Sequence, residues 1–235
     1  MAENKTVYAD ALIAKFQYAI DVKGGYIWGA AGAVWTAAKQ AATTNEQAKK
    51  YGKQWIGHQV WDCSGLFSWA FKELGGYMYH GSNTMWDRYC TAKGELKKGQ
   101  RADGKELKPG TAVFVYNEKE KKRSHVGLYI GNGNVIEAAS TQTGVVISKV
   151  TNAKWEEWGE LQGVQYGGEP VPEKGYAVVT GKKVALREEA STRAAIIMRI
   201  DTGETVKLEP EPDEWDYVSY KGKKGWMMKK FLKEG

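Results

Sequence analysis

From Leu107 onward the hydrophobic pattern of this chain changes period. Before that point apolar residues recur at three- and four-residue spacing, the repeat of a helix with one buried face. After it they alternate, or run in short blocks between turn residues, as strands do. Helices first and strands afterward predict an α+β domain with helices packed on an antiparallel sheet. Leu107-Lys108-Pro109-Gly110 reads as a turn, Thr111–Tyr116 as a buried strand and Asn117–Arg123 as a charged loop. Strands over 125–130 and 135–139 flank Gly131-Asn132-Gly133-Asn134, a hairpin signal, and another strand covers Val145–Val150. Upstream, residues 6–23 read as an amphipathic helix closed by Gly24-Gly25. The Ala- and Lys-rich stretch to about residue 57 reads as helical, and 76–104, rich in Gly, Ser and Asn, as loop.

A second change comes near residue 168. Gly167-Gly168-Glu169-Pro170-Val171-Pro172-Glu173-Lys174 has the composition of a linker. Beyond it short strands are predicted at 176–180, 183–187, 196–199, 204–209, 215–220 and 224–227. The expected domains are 1–168, a linker 169–175 and a small all-β barrel over 176–235. With 42% hydrophobic and 26% charged residues in 235, packed cores are expected. No apolar run approaches the roughly 20 residues of a membrane span. The net charge of +6 is interspersed. It suits attraction to an acidic polymer such as a bacterial wall, but lacks the basic-aromatic clustering of a nucleic-acid groove. Two cysteines do not make a disulfide framework.

The chemistry centres on Trp61-Asp62-Cys63-Ser64-Gly65-Leu66-Phe67. Leu66, Phe67, Ala70, Phe71 and Leu74 recur at helical spacing and Gly75-Gly76 supplies a stop, so Cys63 stands where a helix begins. Unpaired N–H groups and the positive end of the helix dipole favour a thiolate there. Of the three histidines, His58 and His80 fall in loop-like segments, whereas His125 opens an apolar strand. Cysteine on a helix tip and histidine on a strand are the parts of a thiol hydrolase. A metal site from His58, Cys63, His80 and Cys90 matches no standard zinc spacing, so neither metal nor cofactor is expected, and Cys90 is expected to be a buried free thiol. Glu137, on the return strand of the hairpin, is the candidate to orient the imidazole, with Ser140 and Gln142 as alternatives. A two-residue Asn132-Gly133 loop would place His125 and Glu137 on opposite faces; a longer loop or a bulge would place them on one face.

Gly25-Tyr26-Ile27-Trp28-Gly29, Asp62-Cys63-Ser64-Gly65-Leu66, Leu107-Lys108-Pro109-Gly110 with its strand, and His125-Val126-Gly127-Leu128-Tyr129-Ile130-Gly131 resemble, in order, the signature blocks of NlpC-type cell-wall cysteine peptidases. These are a branch of the papain-like fold. The resemblance covers about residues 6–168 and implies cleavage of peptidoglycan stem peptides between γ-D-glutamate and the following diamino acid. It maps nucleophile, base and orienter onto Cys63, His125 and Glu137, and an amine-binding substrate site onto Tyr26 and Asp62, with Ser64 beside them. Two features depart from the family pattern: glutamate stands where histidine is usual, and residues 30–57 form a longer insertion than is usual. The C-terminal segment is similar to bacterial SH3-type wall-binding domains, through Lys183-Val184-Ala185-Leu186-Arg187, Gly203-Glu204-Thr205-Val206, Trp215-Asp216-Tyr217-Val218 and Gly222-Lys223-Lys224-Gly225-Trp226-Met227. In such domains the Val, Trp and Gly residues mostly build the barrel. The implied partner is wall peptidoglycan, met by a monomer. An amidase, a cross-bridge endopeptidase and an inactive wall-binding protein are the alternatives. The N-terminus shows no secretion-signal pattern, and with lytic chemistry that suggests a phage-type lysin acting at the wall.

Overall fold

The computed structural model describes residues 6–166, 176–201, 204–209, 215–221 and 223–234. The predicted linker lies outside them. The chain divides into two compact units, Met1–Gly167 and Gly168–Gly235.

The first unit begins with a short strand β1 (Val7–Tyr8) and helix α1 (Ala9–Asp21), whose Leu12, Phe16 and Ala19 recur on one buried face. Strands β2 (Gly25–Tyr26), β3 (Ala31–Val34) and β4 (Gln59–Trp61) form a small sheet in the order β2-β4-β3. Between β3 and β4 lie α2 (Ala37–Ala42), α3 (Glu46–Tyr51) and a 3-10 turn, Gly52–Trp55. The insertion is thus only partly helical. Thr36 and Asn45 cap the two helices, accepting from the N–H groups of Lys39 at 3.2 Å and Ala48 at 2.9 Å, and so break the stretch into short pieces.

Helix α4 (Cys63–Glu73) follows, then α5 (Ser82–Tyr89) and strands β5 (Cys90–Lys97) and β6 (Gln100–Arg101). These last three correct the expectation of loop over 76–104. Helix α5 is held by tertiary packing: Met85 and Trp86 are buried, and the Trp86 ring meets Phe114 edge-on at 5.4 Å. Strand β5 alternates small or apolar residues with polar ones, but Ala92 and Gly94 are poor strand formers and only Leu96 of its eight residues is buried, so the backbone pairing with its neighbour leaves a weak mark in the sequence.

The remaining strands are β7 (Ala112–Asn117), β8 (Lys122–Gly131), β9 (Asn134–Ser140), β10 (Gly144–Lys149), β11 (Glu157–Leu161) and β12 (Val164–Gln165). Seven strands form one sheet in the order β10-β9-β8-β7-β11-β5-β6, and β12 pairs in parallel with β1. One apolar cluster joins Phe16, Leu66, Phe67 and Phe71 of α1 and α4 to Phe114, Val126, Leu128 and Ile136 of the sheet. Phe16 and Phe67 meet edge to face at 4.7 Å. A second cluster gathers Leu96, Leu107, Val113, Val135, Val150, Trp155 and Trp158. This is the predicted α+β arrangement.

Among its described residues the second unit has seven strands, β13 (Tyr176–Val179), β14 (Val184–Arg187), β15 (Ile196–Ile200), β16 (Thr205–Glu209), β17 (Trp215–Tyr220), β18 (Lys223–Met228) and β19 (Leu232–Glu234). Their order is β15-β14-β18-β17-β16-β13-β19. Val184, Leu186, Val206, Val218 and Met227 build its core. Trp215 and Trp226 do not join that core: both are half-buried, and Trp226 lies against Tyr217 at 5.1 Å. No helix among the described residues is long and apolar enough to cross a membrane.

Candidate active site

Asp62 is the N-cap of α4, its Oδ1 accepting from Gly65 N–H at 2.7 Å, and Cys63 is the first helical residue. The helix start is pressed against the chain entering β3. A side chain at position 65 would place its Cβ 2.0 Å from the carbonyl oxygen of Ala30, which accepts from Asp62 N–H at 2.8 Å. Glycine at 65 is therefore what lets the cysteine-bearing turn seat. Cys63 is 6% exposed. The backbone N–H groups of Ser64 and of Val126, the residue after His125, lie by its sulfur and favour the thiolate. Burial, and next the Asp62 charge, push the thiol up to about 12 against those donors. The resting group is a thiol, because desolvation outweighs the helix-start field that favours the thiolate.

His125 and Glu137 lie on one face of the sheet. Asn132 and Gly133, both at positive φ, turn the hairpin between Gly131 and Asn134. The register then shifts between Tyr129 and Gly131, so that Tyr129 pairs with Val135 and Leu128 with Ile136. That bulge moves the parity of β8 by one residue and brings Glu137 round to His125. The ring Nε2 is 2.7 Å from Glu137 Oε2. Lys154, in the turn between β10 and β11, places its Nζ 2.6 Å from Oε1 and 2.5 Å from Oε2 of the same carboxylate. Burial alone would raise Glu137; the bonds from His125 and Lys154 overturn that and hold it at about 2. Trp155 stacks on the His125 ring with centroids 5.6 Å apart. Gly127 makes room for that stacking, since a Cβ there would stand 2.8 Å from the Trp155 ring. The alternative orienters, Ser140 and Gln142, sit elsewhere. The Ser140 hydroxyl pairs with that of Thr143 at 2.9 Å, and the backbone carbonyl of Gln142 accepts from the Gln54 side chain.

The three candidate substrate residues cluster beside the thiol. Tyr26 is half-buried; burial, then the Cys63 and Asp62 charges, push its phenol well above the usual range. Asp62 is buried and fully engaged. Besides Gly65 it accepts from Gly29 N–H at 2.8 Å and Ser64 Oγ at 3.2 Å, and His80 Nε2 sits 2.9 and 2.8 Å from its two oxygens. Burial works against the Asp62 charge, but the His80 bond and the N–H donors outweigh it and leave the carboxyl below its ordinary range. The same bond raises His80. Cys90 is a free, half-buried thiol, rather than a fully buried one, against Gly159 in the neighbouring strand.

With this geometry, the matches to known domains acquire a location. The NlpC/P60 family model matches residues 43–161, just over half the chain. The chain belongs to the NlpC/P60 family. A bacterial SH3 domain model matches residues 182–233. The NlpC/P60 part is 31% identical over 101 residues to the peptidoglycan DL-endopeptidase CwlO of Bacillus licheniformis, covering 43% of this chain and 20% of that protein. It is 28% identical over 103 residues to the murein DD-endopeptidase MepH of Escherichia coli, covering 40% of this chain and 32% of the relative. The chain thus spans a third or less of the length of these relatives. The P60 domain of an antigen from M. avium subspecies paratuberculosis superposes with a TM-score of 0.45 at 20% identity, over 67% of this chain and 96% of that domain. NlpC/P60 peptidoglycan endopeptidases are cysteine peptidases.

Three residues of this NlpC/P60 site escaped the sequence reading: His80, Lys154 and Trp155. His80 sits just before α5, a short helix within the segment read as loop. Lys154 and Trp155 lie in a turn whose link to β9 exists only through the sheet. An aromatic preceded by lysine in a turn, one strand from the hairpin glutamate, was the only available hint.

Proposed function

We propose that the N-terminal unit is a cysteine endopeptidase of peptidoglycan that cuts stem peptides between γ-D-glutamate and the following diamino acid, and that the SH3-type unit tethers it to the wall. A tether raises the local concentration of substrate without altering the chemistry. The observation that carries the reading is a thiol on a helix start, beside the backbone amide next to a histidine whose Nε2 is tied to a buried carboxylate. With Nε2 so engaged, Nδ1 is the ring nitrogen left for the thiol. In the proposed mechanism the sulfur attacks the amide carbonyl as Nδ1 takes its proton, which suits a thiol that rests protonated. N–H groups at the start of α4 stabilise the developing oxyanion. The imidazolium then protonates the leaving amine, and water resolves the thioester. His125 acts as base and acid, Glu137 orients it, and Tyr26, Asp62 and Ser64 face the substrate. Because Asp62 is already engaged by His80, a substrate amine would reach it by taking the place of that ring.

The choice of the γ-D-glutamyl bond is supported by similarity to a DL-endopeptidase. Similarity to a DD-endopeptidase favours cross-bridge cleavage as the second reading. Mass spectrometry of products from defined muropeptides distinguishes them. The expected products are fragments ending in γ-D-glutamate, absent with Cys63→Ala. Equal digestion by parent and Cys63→Ala would overturn the mechanism.

A further inference from the structure

We propose that Lys154 is a positioning residue that sets the proton affinity of His125 by neutralising the carboxylate that orients the ring. The inference rests on reading Cys63 and His125 as a peptidase pair. Glu137 is 1% exposed, while the Lys154 side chain is 34% exposed, so the negative charge is enclosed and its counter-charge reaches in from the edge. The carboxylate is shared: Oε2 meets both the His125 ring and the ammonium, and Oε1 meets the ammonium. The Ser148 hydroxyl of β10 also faces it.

Consider the charges. With Lys154 in place, the imidazole leans on a carboxylate–ammonium pair whose formal charge is zero. Without it, the ring would contact an isolated buried anion, which strongly favours imidazolium. A ring that holds its proton too firmly is a poor acid toward the leaving amine, because acid–base catalysis works best with a group poised near the operating pH. Glutamate in this position therefore requires a cation beside it to behave like the neutral orienting group of other thiol hydrolases. Among the described residues, the ion pairs at Glu137 are those with His125 and Lys154. Cys63 meets the strand at Val126, and behind it stand Asp62 and Tyr26, both negative when ionised. Arg123, two residues before His125 on β8, is spent on Glu157 at 2.6 and 2.8 Å.

The turn that carries Lys154 is built to hold it. Asn152 accepts from Lys154 N–H through its side chain at 3.2 Å and from Trp155 N–H through its carbonyl at 3.0 Å. The ammonium lies 4.6 Å from the centre of the Trp155 ring, which itself stacks on His125. One short segment thus delivers a charge to the carboxylate and a ring to the imidazole.

The test is an NMR titration of the histidine rings in the full chain. The chain has three histidines, so assignment is direct. A Cys63→Ala background keeps thiol ionisation out of the curve. Lys154→Gln retains a hydrogen-bond donor without the charge, Lys154→Met removes both, and Lys154→Arg restores the charge. The His125 midpoint is expected to rise by about one pH unit or more in the Gln and Met variants. It should return toward the parent value with Arg, while His80 stays put as a control for the fold. A His125 midpoint that is unmoved or lower in a folded Gln variant overturns the proposal. Should Met fail to fold, the Gln and Arg pair decides alone. In the active chain, Lys154→Gln should move the His125-borne limb of the pH–rate profile toward alkaline pH; a limb that stays in place also overturns it. The titration reads a proton affinity, not cleavage, so the peptidase reading stands or falls separately on Cys63→Ala.

Discussion

Glu137 offers the sharpest test of the electrostatics. Its carboxyl is held at about 2 against an ordinary 4.5 by His125 and Lys154. At about 1.4 kcal/mol per pH unit, that difference represents roughly 3 kcal/mol of folding stability. The sign follows from a depressed folded-state value: the contribution is fully present above 4.5 and is lost as pH falls toward 2. Glu137→Gln preserves shape and removes the titration, leaving Lys154 and the His125 ring without their anion. Urea unfolding followed through the histidine ring resonances reports the N-terminal unit alone, since all three histidines lie there. The variant should be less stable than the parent by about 3 kcal/mol at pH 7. The gap should shrink to about 1 kcal/mol by pH 2.5, where the carboxyl of the unfolded parent is protonated and that of the folded parent has begun to be. A gap of the same size at both pH values would refute the reasoning, because it would mean that shape and packing, not charge, hold this site together.

His80→Gln tests the brace on Asp62. His80 is raised by its carboxylate partner, so its contribution is complete below the ordinary 6.5 and fades as pH rises through the folded value. With the ring about a third exposed, the expected loss is about 1 kcal/mol at pH 6, shrinking by pH 9, read by the same unfolding assay. Gly65→Ala places a methyl group 2.0 Å from a backbone oxygen that cannot move aside, and should cost about 3 kcal/mol or more, seen as a lowered melting temperature and lost cleavage.

Much of the machinery was legible because its signals are local. The start of α4 is encoded by Asp62 as cap and by apolar residues at helical spacing, all within one segment. The β8–β9 hairpin is encoded by Asn132-Gly133, which take positive φ where the turn needs it. Strand alternation between turn residues located six strands of the second unit but not β19, a three-residue strand at the end of the described residues. Signals failed where side chains did not declare the backbone. Strand β5 is stabilised by pairing with β11 and buries only Leu96 of its eight residues, and α5 is held by Trp86 packing on Phe114.

The order of elements, the cysteine on its helix tip and the histidine on its strand were thus determined by the sequence itself, because each depends on neighbours a few residues away. Whether His125 and Glu137 share a face depended on a single bulged residue near Ile130, which shifts side-chain parity without leaving a mark in composition. The resting state of Cys63 and the partners of Asp62 and Glu137 were decided only by tertiary structure. Burial and charge depend on what is close in space, and His80 and Lys154 reach this site only after the sheet and helices have closed around it.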